Sequence, residues 1–390
     1  MNYKTMQFFK RAENLMRLYG GFMLMTLPVL MGCLGGCDVY TGGSKGAGGG
    51  TITLASWNVQ ALFDGKDDGL EYEEYRDGSG WSEEKYRARL NRVGQGIAVL
   101  SEKSPDFIVF IEVENHNILE DLNSEYLENQ KYRYSFFAGN SGYSLGIGMI
   151  SKYPLAKTLV HSVNVAGEVL PRPVAEVWLD VSGGQVVIFA CHWKSKLGGE
   201  ESTEKLRQEA AKIIVRRQKE LSLSNPSIPI VVLGDLNENY DEFYRRGSEQ
   251  VCALLPDDPE AARKTGFLLP STDETSVDLQ TPPENQDFLI ISGDKPPESA
   301  FFAINEGVFY SPWGNELANG SYFYNGDWET IDHILMNAAC FDKTGIEFEN
   351  CYVADCEPFV NSKGEPDRYN PRTGAGLSDH LPLVLILKML

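Results

Sequence analysis

The sequence predicts an α/β fold built as one domain over residues 51–390. Three observations predict it: short apolar runs rich in β-branched residues recur, two longer segments carry an apolar stripe at helical spacing, and no composition break divides the region. The first run, 51–57, leads into Asn58; 107–111 leads into Glu112 and 185–191 into His192. Residues 228–233 stop at Gly234-Asp235-Leu236-Asn237. Thr330-Ile331-Asp332-His333 opens a further apolar stretch, and Leu377-Ser378-Asp379-His380 opens the last, 381–387. Taken alone, Gly234 to Asn237 reads as a turn, because Gly, Asp and Asn end strands. Six runs tagged in this way are better explained by strand ends converging on one site.

The first helix follows Ser82, a capping residue, and Glu83 and Glu84 suit its positive end. Tyr86, Leu90, Val93, Ile97 and Leu100 then form one buried stripe. Ser104-Pro105-Asp106 turns the chain into the run at 107. The second helix is expected over 201–221, with Leu206, Ala210, Ile213, Ile214 and Leu221 on one side. Its Arg216, Arg217 and Lys219 read as a solvated face that complements the helix dipole. Residues 64–80, acidic and glycine-punctuated, with Tyr72 and Tyr75, are expected to form a surface loop. Residues 240–320, rich in proline and acid, read as an elaborated loop region near a functional face.

The N-terminus precedes this domain. Lys4, Lys10, Arg11 and Arg17 stand before an uncharged run, 18–37, with the layout of an export signal. Its apolar stretch falls short of the ~20 residues a spanning helix needs. The stretches ending at Cys33 and Cys37 resemble the lipobox of bacterial lipoproteins, and Cys37 fits the pattern better. The expectation is a signal peptide over 1–37, a flexible Gly-rich tether over 38–50 and an exported protein held at the cell envelope, in the periplasm or at the cell surface, by an N-terminal lipid. The remaining cysteines, Cys191, Cys252, Cys340, Cys351 and Cys356, lack zinc spacing.

The formal charge of −20 argues against a tight, sequence-independent grip on nucleic acid, which normally needs a basic stripe. It does not exclude nuclease chemistry, because a divalent cation reverses the field that a phosphate meets locally.

The tags, read in order, resemble the endonuclease/exonuclease/phosphatase family, which contains deoxyribonuclease-I-like nucleases, sphingomyelinases and inositol polyphosphate phosphatases. The matching pieces are SWN (56–58), IEVEN (111–115), SKYP (151–154), RPV (172–174), CHWKS (191–195), GDLN (234–237), IDHIL (331–335) and SDHLPL (378–383). The resemblance implies a deoxyribonuclease-I-like four-layer α/β/β/α sandwich of two mostly antiparallel sheets, with loops converging on one edge.

Carried over by position, the resemblance makes Asn58, Glu112 and Asp379 ligands of Mg²⁺ or Mn²⁺, hard cations that favour oxygen donors. It makes His192, Asp235, Asn237, Asp332 and His380 the catalytic set, with Asp332 orienting His380. Arg172 is implied as a phosphate or structural contact, and Tyr143 is the best match to a tyrosine near the scissile phosphate. His116 and His161 are expected on the surface or in loops, and His333 in a structural bond. Glu114 stands where nucleases of the family can carry a basic residue. The aromatic patch Tyr322, Phe323, Tyr324 and Trp328 can stack bases, touch lipid or pack. The expected activity is phosphodiester hydrolysis by a monomer. Nucleic acid is the favoured substrate, a phospholipid or small phosphoester the alternative, and a non-catalytic binding lipoprotein a third reading.

Overall fold

The computed structural model describes residues 50–265, 287–293, 307–315 and 317–390, all within one compact unit. The signal, the tether up to residue 49, Cys33 and Cys37 lie outside the described residues. So does much of the 240–320 region.

Two large sheets carry the chain. The six-stranded sheet contains β1 (Thr51–Leu62), β2 (Phe107–Val113), β3 (Tyr134–Ala138) and β4 (Gly146–Ser151), and it is completed by β13 (Ile346–Val353) and β14 (Leu383–Met389). The eight-stranded sheet contains β5 (Leu155–His161), β6 (Val174–Val181), β7 (Gly184–His192) and β8 (Ile230–Asp235). It continues with β9 (Leu254–Pro256), β10 (Leu289–Ser292), β11 (Val308–Tyr310) and β12 (Asp332–Met336). The spatial orders are β13-β14-β1-β2-β4-β3 and β9-β10-β11-β12-β8-β7-β6-β5. The first sheet is antiparallel except for β1 beside β2. The second is more mixed than expected, since β7–β8, β9–β10 and β10–β11 are parallel.

The sheets pack face to face, with β1 and β2 against β8 and β12 against β14. Along β7, Val186, Ile188 and Ala190 enter the core between the sheets, while Val187, Phe189 and Cys191 face the outer helix. Along β8, Val231 and Leu233 face inward and Ile230 and Val232 outward. Burial on both faces is why these strands read as unbroken apolar runs.

Helix α1 (Glu83–Val99) is capped by the Ser82 hydroxyl, which accepts from the Lys85 amide, and it buries Tyr86, Leu90, Val93 and Ile97. Gly96 lets it approach Trp57 of β1, since an added Cβ would stand 3.3 Å from the indole. Helix α2 (Glu200–Ser224) overruns the expected 201–221 and covers the other sheet with Ala210, Ile213, Ile214 and Leu221. Four layers result, as expected.

Four expectations need correction or refinement. The described part of 240–320 is not loop alone, because β9, β10 and β11 extend the eight-stranded sheet. The 64–80 segment is anchored: Tyr75 is buried against Phe63 and Trp81, and its hydroxyl accepts from Arg89. Arg217 is not merely solvated, and His161 is not a loop residue. Arg217 reaches the wholly buried Glu176 of β6 with bonds of 2.8 and 2.9 Å, and His161 of β5 lies 2.8 Å from the same carboxylate.

Burial by itself would raise the Glu176 pKa, but bonds from His161, Arg217 and Trp178 bring it down to about 2. A carboxylate with a depressed pKa adds stability above its unfolded value and loses it as pH falls through the folded value. Urea midpoints should therefore hold between pH 7 and 5 and then fall toward pH 2, with this one group contributing about 3 kcal/mol. Glu176→Gln should flatten part of that fall, and an unchanged acid limb would refute the assignment.

Candidate active site

The ends of β1, β2, β7 and β8 meet at one edge of the sandwich. Pairing sets the alignment: Asp235 stands opposite His192 on one side and Asp332 on the other. Asn58 is opposite Ile111, one residue before Glu112.

Backbone irregularity aims the first two side chains. Beyond Asn58 the β1–β2 register shifts, with Gln60 and Ala61 at φ +54° and +49° and Glu112 at +69°. Such bulges redirect side chains at sheet rims, and left-handed φ values at non-glycine residues store strain. Arg89 from α1, almost fully buried, holds the bulge by donating to the Val59, Gln60 and Ala61 carbonyls. The bulge turns the Ala61 amide onto Glu112 Oε2 at 2.8 Å. Asn58 Nδ2 lies 3.1 Å from Asp235 Oδ2 and 3.4 Å from Glu112 Oε1. His192 Nε2 is 3.7 Å from each of the same two carboxylates.

The Gly234 to Asn237 segment is a turn as well as part of the site. Gly234 has φ +131°, and an added Cβ would stand 2.0 Å from the Cys191 carbonyl. Asn237, at φ +53°, donates its amide to Asp235 Oδ1 and its side chain to the Trp193 carbonyl, at 3.0 and 3.1 Å. The two loops that follow His192 and Asp235 are thereby locked together. Arg172 donates to the same Trp193 carbonyl.

The C-terminal half supplies a fixed imidazole. Asp332 Oδ2 accepts from Ser321 at 2.6 Å and pairs with His380 Nδ1 at 2.7 Å, which leaves His380 Nε2 4.0 Å from Asp379. The Ser378 hydroxyl donates to the Asn58 carbonyl and accepts from the His380 amide, so the SDH segment is tied to β1. Tyr322 lies over the His380 ring at 4.5 Å.

Charge in this cluster is poorly matched. Burial, followed by Asp332, raises Asp235 to about 7. Burial also raises Asp379, with Glu112 adding to the effect. Burial pushes His192 well below the usual histidine range, and the charges of Arg172 and His380 push it further. Burial would lower His380 too, but Asp332 overrides it and raises the imidazole to about 10.

The tightest acidic group, Asp235, Asp332 and His380, is already engaged by the Asp332–His380 bond. Glu112 and Asp379 instead line an open cleft of about 560 Å³. Two carboxylates short of counter-charge at a solvent-accessible cleft are a donor set that fits Mg²⁺ or Mn²⁺. Asn58 stands next to this pair, its Nδ2 3.4 Å from Glu112 Oε1.

Of the expected residues, Asn58, Glu112, His192, Asp235, Asn237, Asp332, Asp379, His380 and Arg172 are brought together. Tyr143 is not, since its hydroxyl reaches the Val169 carbonyl at 3.4 Å. Three other tyrosines, Tyr72, Tyr75 and Tyr369, line the cleft with Glu112, and of these Tyr72 is the exposed one. Glu114 does not face a substrate. It accepts the Asp64 amide at 2.7 Å, and burial with Asp64 and Glu71 raises it to about 8. His333 is structural, bonding the Glu238 carbonyl at 2.8 Å, and His116 is exposed. Ser321, Tyr322, Tyr72 and Arg89 escaped sequence reasoning. Only Tyr322 carried a signal, its place in an aromatic patch just before Asp332.

Among solved structures, the chain is similar to D. rerio TDP2 humanized by 14 mutations, at 12% identity and TM-score 0.47, over 86% of this chain and 98% of that one. It is also similar to an endonuclease/exonuclease/phosphatase from Bacteroides vulgatus, at 17% identity and TM-score 0.46, over 87% of this chain and 100% of that one. The human Nocturnin catalytic domain with bound sulfate matches at 15% identity and TM-score 0.43, over 87% of this chain and 95% of that one. No curated protein sequence matches. A family model described as Endonuclease/Exonuclease/phosphatase family matches residues 53–252, more than half of the chain. The match spans Asn58, Glu112, His192, Asp235 and Asn237, while Asp332, Asp379 and His380 lie beyond it. This chain belongs to the Endonuclease/Exonuclease/phosphatase family, a family of phosphodiesterase- and nuclease-type hydrolases that generally use a divalent metal.

Proposed function

We propose that the protein is a Mg²⁺- or Mn²⁺-dependent phosphodiester hydrolase that acts on nucleic acid outside the inner membrane, as a monomer tethered by a lipid on Cys37 or Cys33. The observation that supports the activity is the convergence of Asn58, Glu112, His192 and Asp235 on the Asp332–His380 pair, with Asp332 Oδ2 2.7 Å from the imidazole. Hydrolysis needs a polarised phosphoryl oxygen, a deprotonated water and a proton for the leaving oxygen. Glu112, Asp379 and Asn58 would hold the metal, which supplies the polarisation when bound. Asp235, His192 and His380 are the titratable groups that take and return the protons. Asp332 fixes the His380 ring so that Nε2 faces the reaction. Asn237 locks the loop that aims Asp235.

The full-length protein with Mg²⁺ or Mn²⁺ should cleave short oligonucleotides and leave sphingomyelin and phosphatidylcholine intact. Headgroup release with inert oligonucleotides would overturn the nucleic-acid reading. Labelled palmitate should be incorporated by the wild type and lost in Cys37→Ala or Cys33→Ala, and no label in the wild type would reject the lipid anchor.

A further inference from the structure

We infer that the cleft on the Glu112 side of the centre is a nucleotide subsite for single-stranded polynucleotide. Arg368 and Arg372 there hold the phosphate next to the scissile one, and Tyr72 stacks the attached base. The inference rests on the phosphodiesterase reading and names the substrate of that same site.

The cleft of about 560 Å³ is lined by Glu112 and Asp379 of the centre and by Tyr72, Arg368 and Arg372. Its volume is in the range of small-ligand sites, and its lining shares Glu112 and Asp379 with the centre. A second cleft of about 310 Å³ shares Arg368 and Asp379 with the first and is also lined by Phe323 and Asn361. Two clefts that meet at Asp379 suit a diester with substantial groups on its phosphate.

Five other arginines are already committed to carboxylates. Arg87, Arg207, Arg217, Arg245 and Arg246 each have a carboxylate oxygen at 2.6 to 2.9 Å. Arg368 is 68% exposed, and its carboxylate contact is Asp379 at 3.8 Å, well beyond charge-assisted hydrogen-bond length. Arg372 makes no ion pair among the described residues, yet its backbone is fixed. Lys85 Nζ donates to the Pro371 and Arg372 carbonyls, both at 3.1 Å, and the Arg372 amide donates to Asn370 at 2.9 Å. A pinned backbone with an uncommitted guanidinium is a preorganised fork for phosphate oxygens. The same lining holds Glu74, Glu112 and Asp379, so the two forks bring the basic charge that a phosphate needs to an otherwise acidic cleft.

Tyr72 is 46% exposed and meets Phe63 edge-on at 5.3 Å, so its ring is held in place while one side stays open. Bases stack on such rings without regard to sequence once they leave the duplex. Glu74 in the same lining opposes the dense charge of a duplex. An acyl chain is poorly served, because the only aliphatic side chains in the lining are Ala61 and Pro371.

The test compares the full-length protein with Arg368→Ala, Arg372→Ala, Arg372→Lys and Tyr72→Ala on two substrates with Mg²⁺. One is a trinucleotide, in deoxy and ribo forms, and the other is bis(p-nitrophenyl) phosphate, which has no neighbouring phosphate. The ratio of kcat/KM between the substrates should fall about tenfold for each alanine variant, through KM. Arg372→Lys should fall in between, and the salt dependence of trinucleotide binding should lose about 0.7 in slope per arginine removed. Because Arg372 is exposed, its variants should melt with the wild type. An unchanged ratio would overturn the subsite while leaving the hydrolase reading in place. A wild type that cleaves neither substrate would overturn the hydrolase reading itself, and the subsite with it.

Discussion

Asp235→Asn should lower kcat for phosphodiester hydrolysis by about 10²–10⁴, the range expected when a general acid–base group is lost. The substitution keeps the shape of the side chain, so the bond that Oδ1 accepts from the Asn237 amide at 3.0 Å can persist. It removes the carboxylate that lies 3.1 Å from Asn58 and 3.7 Å from His192. His380→Gln should produce a loss of the same order, because only an imidazole can use the Asp332 bond to hold a proton-carrying Nε2 toward the reaction. Steady-state rates at saturating substrate check both. A variant within about threefold of wild type, far inside the range given for such groups, would remove that residue from the catalytic set.

Gly234→Ala should damage the molecule more broadly. An added Cβ would stand 2.0 Å from the Cys191 carbonyl oxygen and 3.0 Å from its amide nitrogen, at φ +131°. The obstacle is the backbone of the neighbouring strand, which no rotamer change relieves. β7 and β8 would have to separate, and these strands carry His192 and Asp235. The expected loss is at least about 3–5 kcal/mol, in the class of backbone strain and core overpacking. The urea midpoint and the yield of soluble protein measure it. An alanine variant with wild-type stability would show that the turn is more yielding than described.

The site was largely legible because its residues terminate strands that are buried on both faces. Such strands appear as short apolar runs, so Asn58, Glu112, His192 and Asp235 stand out at their ends. Ser82 was legible as a cap for an equally local reason. Long-range partnerships left no pattern. Arg217 reads as one charge in a basic cluster, and only the fold shows Glu176 beneath it, 41 residues away in sequence. The bulges at Gln60, Ala61 and Glu112 are invisible, because none of these residues signals a left-handed conformation. Strands as short as Leu254–Pro256 and Val308–Tyr310 are too brief to show a period, so the sheet extension read as loop. The cleft escaped notice for a related reason. Tyr72 comes from one loop and Arg368 and Arg372 from another near the C-terminus, and neither loop is informative alone.

Glu112 and Asp379 should present their carboxylates to a divalent cation that hydrolysis requires. Calorimetric titration of Mn²⁺ into the full-length protein and into Glu112→Gln, with bis(p-nitrophenyl) phosphate turnover followed in parallel, tests it directly. The wild type should bind Mn²⁺, lose all turnover in EDTA and regain it when the metal is restored. Glu112→Gln should bind Mn²⁺ more weakly by at least the ~10–100-fold expected for loss of even an outer-shell partner. Turnover that survives EDTA, or equal Mn²⁺ affinity in the two proteins, would contradict the account.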